Sequence, residues 1–280
     1  MLFALLVFLA PRPAPPVEVR ELIARLVRIP AGTFLMGSET EEPDEAPVHA
    51  VDLPDYWIAR EEVTNAQYAA FVRATGRPAP SVGRAEFVPP DRLAAFQAIA
   101  GRFAWTGGRF PPGRGDHPAT LLRVEDAEAF CAWLTKVTGR AFRLPTEAEW
   151  EKAARGGLEG KSYPWGEGLD ASRAHYLLDP ARKAQGDTRA VGSYPANGYG
   201  LYDMSGNAWE WVADRYDPEY YRNSPRGDTP GPPAGDRRIV RGGAWLDDDP
   251  KLLTCAHRHE VAPGVYSYSI GFRVATRQGP

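Results

Sequence analysis

The chain has 280 residues, enough for one large domain or two small ones, and its 43% hydrophobic, 25% charged and 11% aromatic content excludes a disordered or fibrous protein. Its 28 Gly and 27 Pro, about a fifth of all residues, leave little room for long helices. With 33 basic against 36 acidic residues and no basic stripe, nucleic acid is not an expected partner; Cys131 and Cys255 allow at most one disulfide and no tetrahedral cysteine zinc site.

In chain order, Leu2 to Ala10 is an unbroken apolar run followed by PRPAPP. It is far short of the roughly 20 residues that span a bilayer but has the length of a signal-peptide h-region. Export or amino-terminal anchoring is therefore expected, against the alternatives of a buried first strand or a misassigned start. No Lys or Arg precedes the run, no small-residue pair marks a cleavage site, and no other segment has the character of a membrane span.

Glu18 to Arg28 places apolar residues at helical or mixed spacing. Ile29 to Gly32 reads as a turn before a short strand, Thr33 to Met36, and the acidic Ser38 to Glu45 as a solvated loop. Val48 to Leu53 and Tyr56 to Val63 read as strands by alternation and by their aromatic and β-branched residues. Thr64 with Gln67 three residues on predicts a capped helix with Tyr68, Phe71 and Val72 on one face, ended by Gly76. Gly76 to His117, rich in Pro, Gly and Arg, reads as an excursion containing one helical stretch, Asp91 to Ala100. A second helix is predicted over Val124 to Thr138, with Glu125 and Asp126 in its positive first turn and Gly139 as its cap. A third opens at Thr146, where Glu149 completes another capping box, and stops at Gly156. Beyond Gly157 periodicity fades while Trp and Tyr stay frequent, so order there needs aromatic packing and backbone bonds to loops, or bound ions.

Several phrases carry more information than any periodicity. They are FLMGS (34 to 38), EEVTNAQYAAFVRATG (61 to 76), RLPTEAEWEKAARGG (143 to 157), YPWG (163 to 166), NGYGLYDMSGNAWEWVAD (197 to 214), RIVRGGAW (238 to 245) and IGFRVA (270 to 275). In that order they resemble the formylglycine-generating enzyme family, also called sulfatase-modifying factor domains. The resemblance covers residues 28–276 and leaves 1–27 as the apolar amino-terminal segment and spacer. It implies an α+β, C-type-lectin-like fold with little regular secondary structure.

Enzymes of that family convert a sulfatase cysteine to formylglycine with copper and molecular oxygen, using two cysteines in the loop after an RGGS-type motif. Carried over, the first cysteine falls on Asp247, the second on Leu252 and the serine on Ala244, while Cys255 fits a structural position. Cuprous copper is soft and prefers thiolates, whereas a carboxylate suits hard ions, so copper-dependent cysteine oxidation is not expected here. The family partners of Cys131 and Cys255 fall on residues such as Val274 and Ala154, which predicts two free buried thiols.

The resemblance also implies a calcium site in GLYDMSGNAWEW, with carboxylates from Asp203 and Glu210 and carbonyls from Gly206 and Ala208, against a reading in which both acids accept hydrogen bonds from loop amides. A second family calcium site falls on Lys183 and is not carried over. His257 and His259, at i and i+2, share one side of an extended segment; with Asp247, Asp248 or Asp249 they form a candidate iron or manganese set, the plainer reading being a polar strand beside an acidic turn. Arg241 and Arg273 are expected to tie loops together through carboxylates.

The groove expected by resemblance is bounded by the loop after RGG, which makes Trp245, Asp247, Asp248 and His257 its candidate lining, with Trp209 as a further wall. An acidic and aromatic lining favours a basic peptide segment or a hydroxylated small molecule. Two function classes follow for an exported or anchored bacterial-type protein: a divergent oxidase or modifier of a protein or metabolite, its redox metal unspecified, or a non-catalytic lectin-like module that binds a protein, peptide or glycan.

Overall fold

The computed structural model describes residues 14–83, 85–227 and 231–280; the apolar run at 2–10 lies outside them. The fold is α+β. The first segment divides into helix α1 (Val17–Ala24) and strand β1 (Leu26–Ile29), which explains its mixed spacing. Strands β2 (Gly32–Met36), β3 (His49–Leu53) and β4 (Tyr56–Ala59) follow, then helix α2 (Asn65–Thr75). The expected strand from Tyr56 to Val63 stops at Ala59 because the chain bends at Arg60 and Glu61 and buries Glu61 and Glu62.

Local signals set the helix ends. The Thr64 hydroxyl accepts the Gln67 N–H at 3.3 Å while the Gln67 amide oxygen accepts the Thr64 N–H at 3.0 Å. Helix α3 (Pro90–Ala100) lies in the excursion, α4 spans Val124–Thr138, and α5 (Glu147–Arg155) starts from the reciprocal Thr146 and Glu149 bonds. Strand β5 (Phe142–Arg143) lies between α4 and α5. The left-handed caps fall on Gly76, Gly139 and Gly156, where a side chain would be strained.

The remaining elements are β6 (Trp209–Arg215), α6 (Tyr220–Asn223), β7 (Arg238–Arg241), β8 (His259–Val261), β9 (Ile270–Phe272) and β10 (Ala275–Thr276). One sheet has the order β1-β4-β10-β5, a second pairs β2 with β3, and a third runs β8-β7-β6-β9. In the third sheet Glu210 stands opposite both Arg241 on β7 and Gly271 on parallel β9, and Trp209 opposite Ile270. That register places the beginning of β6 beside the turn that follows β7.

The main core packs Tyr68, Phe71, Phe130, Trp133 and Phe272 between α2, α4 and β9. A second cluster surrounds Trp150 on α5, and a third joins Phe103 and Ala100 of the excursion to Trp245 and Tyr266. The excursion is therefore fastened to the loops after β7 and β8. The acidic 38–45 segment is not wholly solvated: its last residues form a single 3-10 turn, Pro43–Glu45, and Glu45 is buried. Among the described residues no helix is long and apolar enough to cross a membrane.

Candidate functional site

A cleft of about 380 Å³ opens between the excursion and the third sheet. Phe87 and Phe96 from the excursion, Trp209 from β6, Leu246 and Leu252 from the loop after β7, and Tyr266 before β9 supply apolar walls; Asp247, His259, Glu260, Ser267 and Ser269 are its polar lining. The Arg241-Gly242-Gly243 turn brings Asp247 there. Gly243 has φ +73°, and a Cβ on it would meet Leu253 at 2.6 Å and the Leu252 carbonyl at 2.9 Å, so the close turn requires glycine.

Asp247 is only 7% exposed. Its Oδ2 accepts the Ala244 N–H at 2.8 Å, and the Trp209 indole also donates to its carboxyl. Its carbonyl accepts the Leu177 N–H at 2.9 Å, which ties this turn to the 177–185 segment. Burial pushes the Asp247 carboxyl up to about 6, against the opposing pull of Ala244 N–H, Lys183, Trp209 and His257. The His259 ring lies 5.0 Å from that of Trp209; desolvation, then the neighbouring His257, holds His259 below its ordinary pKa.

Three of the expected lining residues are elsewhere. Trp245 is 2% exposed and stacks on Phe103 at 6.1 Å with Tyr268 at 6.0 Å. After the glycine turn its side chain enters the aromatic cluster beneath the excursion rather than the cleft. Asp248 is exposed at the foot of the Pro250–Leu253 turn and is not part of the lining. His257 lies behind the cleft, buried, with Nδ1 3.3 Å from Glu45 Oε1 and its ring 5.8 Å from that of Trp209. The two histidine rings are 6.3 Å apart. Among the described residues no three His, Cys, Asp or Glu side chains are grouped to hold a metal, so the candidate iron or manganese set is not assembled.

Sequence reading missed Phe87, Phe96, Tyr266 and Glu45. Aromatic residues in a Pro- and Gly-rich excursion are its one sequence signal, and it does not say where the excursion docks.

Asp203 and Glu210 occupy one buried polar cluster, but their charges are already engaged. Glu210 receives Arg273 through both oxygens at 2.6 Å, and its Oε2 also accepts the Trp150 indole N–H at 2.8 Å. Asp203 accepts the Gly192 N–H at 2.7 Å and shares a hydrogen bond with Glu62. A hydrogen bond between two carboxyl groups needs a proton on one of them. Burial first, then Asp203 and Glu210, holds Glu62 well above the usual carboxylate range, and burial raises Asp203 as well.

Gly206 packs its backbone against His175, and Ala208 leads into β6. Calcium takes about six to eight hard oxygens, and as placed these residues do not fit such an ion between Asp203 and Glu210, because Arg273 supplies the positive charge. Chelation is accordingly expected to leave the melting temperature unchanged. A fall reversed by added calcium restores the calcium role of Asp203 and Glu210.

Cys131 and Cys255 are free and buried, as the sequence predicts. Burial pushes the Cys255 thiol up to about 12, and its N–H is bonded to the Ser162 carbonyl at 2.7 Å. Neither thiol lines the cleft.

The sequence matches the sulfatase-modifying factor enzyme 1-like domain over residues 12–278. It is 35% identical to the formylglycine-generating enzyme of Streptomyces coelicolor, covering 95% of this chain and 93% of that protein. It is 37% identical to the serine/threonine-protein kinase Pkn1 of Chlamydia trachomatis, covering 92% of this chain; the chain spans 39% of the length of the Chlamydia kinases it matches. Among solved structures, PvdO from Pseudomonas aeruginosa is 30% identical with a TM-score of 0.73, covering 90% of this chain and 94% of PvdO. Treponema denticola variable protein 1, at 24% identity and a TM-score of 0.68, shares the fold. The ordered phrases, the three sheets and a domain match across nearly the whole chain together establish that the protein belongs to the sulfatase-modifying factor, or formylglycine-generating enzyme-like, domain family.

Proposed function

We propose that this domain recognises a peptide or small-molecule ligand in the Asp247 cleft and does not perform copper-dependent oxidation of cysteine to formylglycine. The observation that carries the reading is the buried Asp247 carboxylate at the position the resemblance gives to the first copper thiolate. Leu252, at the second such position, is an apolar part of the same lining. A hard carboxylate beside a leucine is a poor donor set for a soft cuprous ion and a reasonable one for a polar ligand group. Recognition rather than oxidation is further supported by the placement of both thiols outside the cleft and by the missing grouping of ligating side chains among the described residues.

The test uses a CxPxR-type peptide with copper(I) and oxygen, read by mass spectrometry. No aldehyde is expected. Aldehyde formation lost on Cys255→Ser would transfer the chemistry to Cys255 and defeat the proposal. A peptide library supplies the second arm: Asp247→Ala is expected to weaken capture, while Asp248→Ala, outside the lining, is expected to leave it unchanged. Equal capture by wild type and Asp247→Ala removes Asp247 from the ligand site.

A further inference from the structure

Most buried carboxylates of this molecule have a cationic partner. Glu147 and Glu151 meet Arg241, Glu149 meets Arg143, Glu210 meets Arg273, and Glu61 meets Arg25. Asp247 differs. Among the described residues it carries no salt bridge, and its bonds come from an amide and an indole N–H. Buried charges left unpaired are costly, so an anion of this kind beside open space is an incomplete ion pair.

Among the described residues the charged groups around it are few. Lys183 faces Asp247 from the 180–185 turn without lining the cleft, and His257 lies behind it. Burial raises the Tyr268 phenol pKa, Arg102 opposes the rise, and Asp247 is near enough to add to it. His259 is held toward its neutral form, and Glu260 at the rim is already paired with Arg237 at 3.1 Å. Among the described residues no Lys or Arg lines the cleft. The opposite walls are aromatic: Phe87 and Tyr266 meet edge to face at 5.0 Å, and Trp209 stands next to the carboxylate it bonds.

We infer that the ligand of this cleft carries an ammonium group on an aromatic or branched apolar arm, the ammonium pairing with Asp247 and the arm packing among Phe87, Phe96, Trp209 and Tyr266. This rests on reading the cleft as the ligand site. An indole and a carboxylate both attract a cation and both oppose an anion, while the apolar walls gain by burying a hydrocarbon arm. A hydrated ion without such an arm would leave those walls unfilled.

The experiment titrates the whole protein with phenethylammonium, 2-phenylethanol and phenylacetate, three ligands with one arm and different heads, following tryptophan fluorescence and calorimetric heat. Phenethylammonium is expected to bind at least roughly tenfold tighter than phenylacetate. Asp247→Asn should abolish that preference while retaining binding of the neutral alcohol. A second measurement needs no variant: because protonation neutralises Asp247, the preference for the ammonium should fall as pH drops from about 8 to about 5, while the ligand's own amine stays charged.

Equal binding of cation and anion, or a preference that survives Asp247→Asn, overturns the inference. Equal binding of all three ligands to both proteins overturns the ammonium while leaving the apolar cleft in place. Absence of saturable binding by any of them overturns the inference, and the copper and peptide-library assays then judge the reading of the cleft separately.

Discussion

Replacement of Arg273 by methionine is expected to cost about 3–5 kcal/mol of stability, among the largest losses any single side chain of this domain produces. Arg273 is fully buried at the end of β9. It forms a two-point pair with Glu210 and donates to the carbonyls of Ala59 at 3.2 Å, Arg60 at 3.3 Å and Tyr202 at 3.0 Å. One guanidinium therefore joins β6, the end of β4 and the loop before Asp203. Methionine fills much of the volume but leaves Glu210 as an uncompensated buried charge, next to Glu62 and Asp203 in the same cluster. Removal of one partner of a buried pair is far more harmful than replacement of both.

The loss corresponds to a fall of roughly 6–20 °C in melting temperature for a domain of this size. Chemical denaturation of Arg273→Met and of Arg273→Met/Glu210→Gln checks the cause. The double variant should recover a substantial part of the loss, since the orphaned charge is gone. A single-variant loss below about 1 kcal/mol would show that water or a rearranged neighbour already compensates Glu210.

The features legible in the sequence are those whose determinants are local. Thr64 with Gln67 and Thr146 with Glu149 lie three residues apart, so both capping boxes could be read and both are formed. The helix at Val124–Thr138 has its predicted bounds because its acidic first turn and its terminal Gly139 are both local signals. The expectation that Arg241 and Arg273 tie loops through carboxylates also holds, although their partners Glu147, Glu151 and Glu210 lie far away in sequence.

The candidate site was legible only around Asp247 and Trp209. Trp245 follows a turn whose exit direction depends on how two consecutive glycines are arranged, and only the Phe103 and Tyr268 rings beneath the excursion settle it. His257 finds Glu45, 212 positions away in the chain, and no spacing rule spans that distance. Phe87 and Phe96 reach the cleft because the whole excursion docks there, which depends on tertiary packing rather than on any local signal. A site assembled from several loops is thus less readable than the helices behind it.

The same dependence on distant partners makes Arg241 the second critical side chain. It is fully buried; Nη1 donates to Glu147 at 3.0 Å and to the Ala256 carbonyl at 2.9 Å, and Nη2 to Glu151 at 2.7 Å and the Cys255 carbonyl at 2.7 Å. Arg258 also binds Glu147 through Nε at 2.8 Å and Nη2 at 3.0 Å, and Arg155 binds Glu151 at 2.6 Å. Arg241→Met removes a charge shared by two acids and leaves two buried carbonyls without these donors, a loss of about 3–5 kcal/mol. Arg241→Lys keeps the charge but not the planar fork, so an intermediate loss is expected.

Cys255 offers a local reporter for this change. Its thiol, held up to about 12 by burial, is almost wholly protonated and unreactive near neutral pH. Without Arg241 the Cys255 to His257 segment keeps only the neighbouring Arg258 tie to α5, and Cys255 should react with a disulfide reagent on the order of tenfold faster. Cys131, buried in α4 within the main core rather than in the second cluster that holds Cys255, is the internal control. Selective acceleration at Cys255 places the opening in the segment that carries the cleft wall. Equal acceleration at both thiols would mean that Arg241 holds the domain as a whole, and no acceleration at either would refute its role as the anchor.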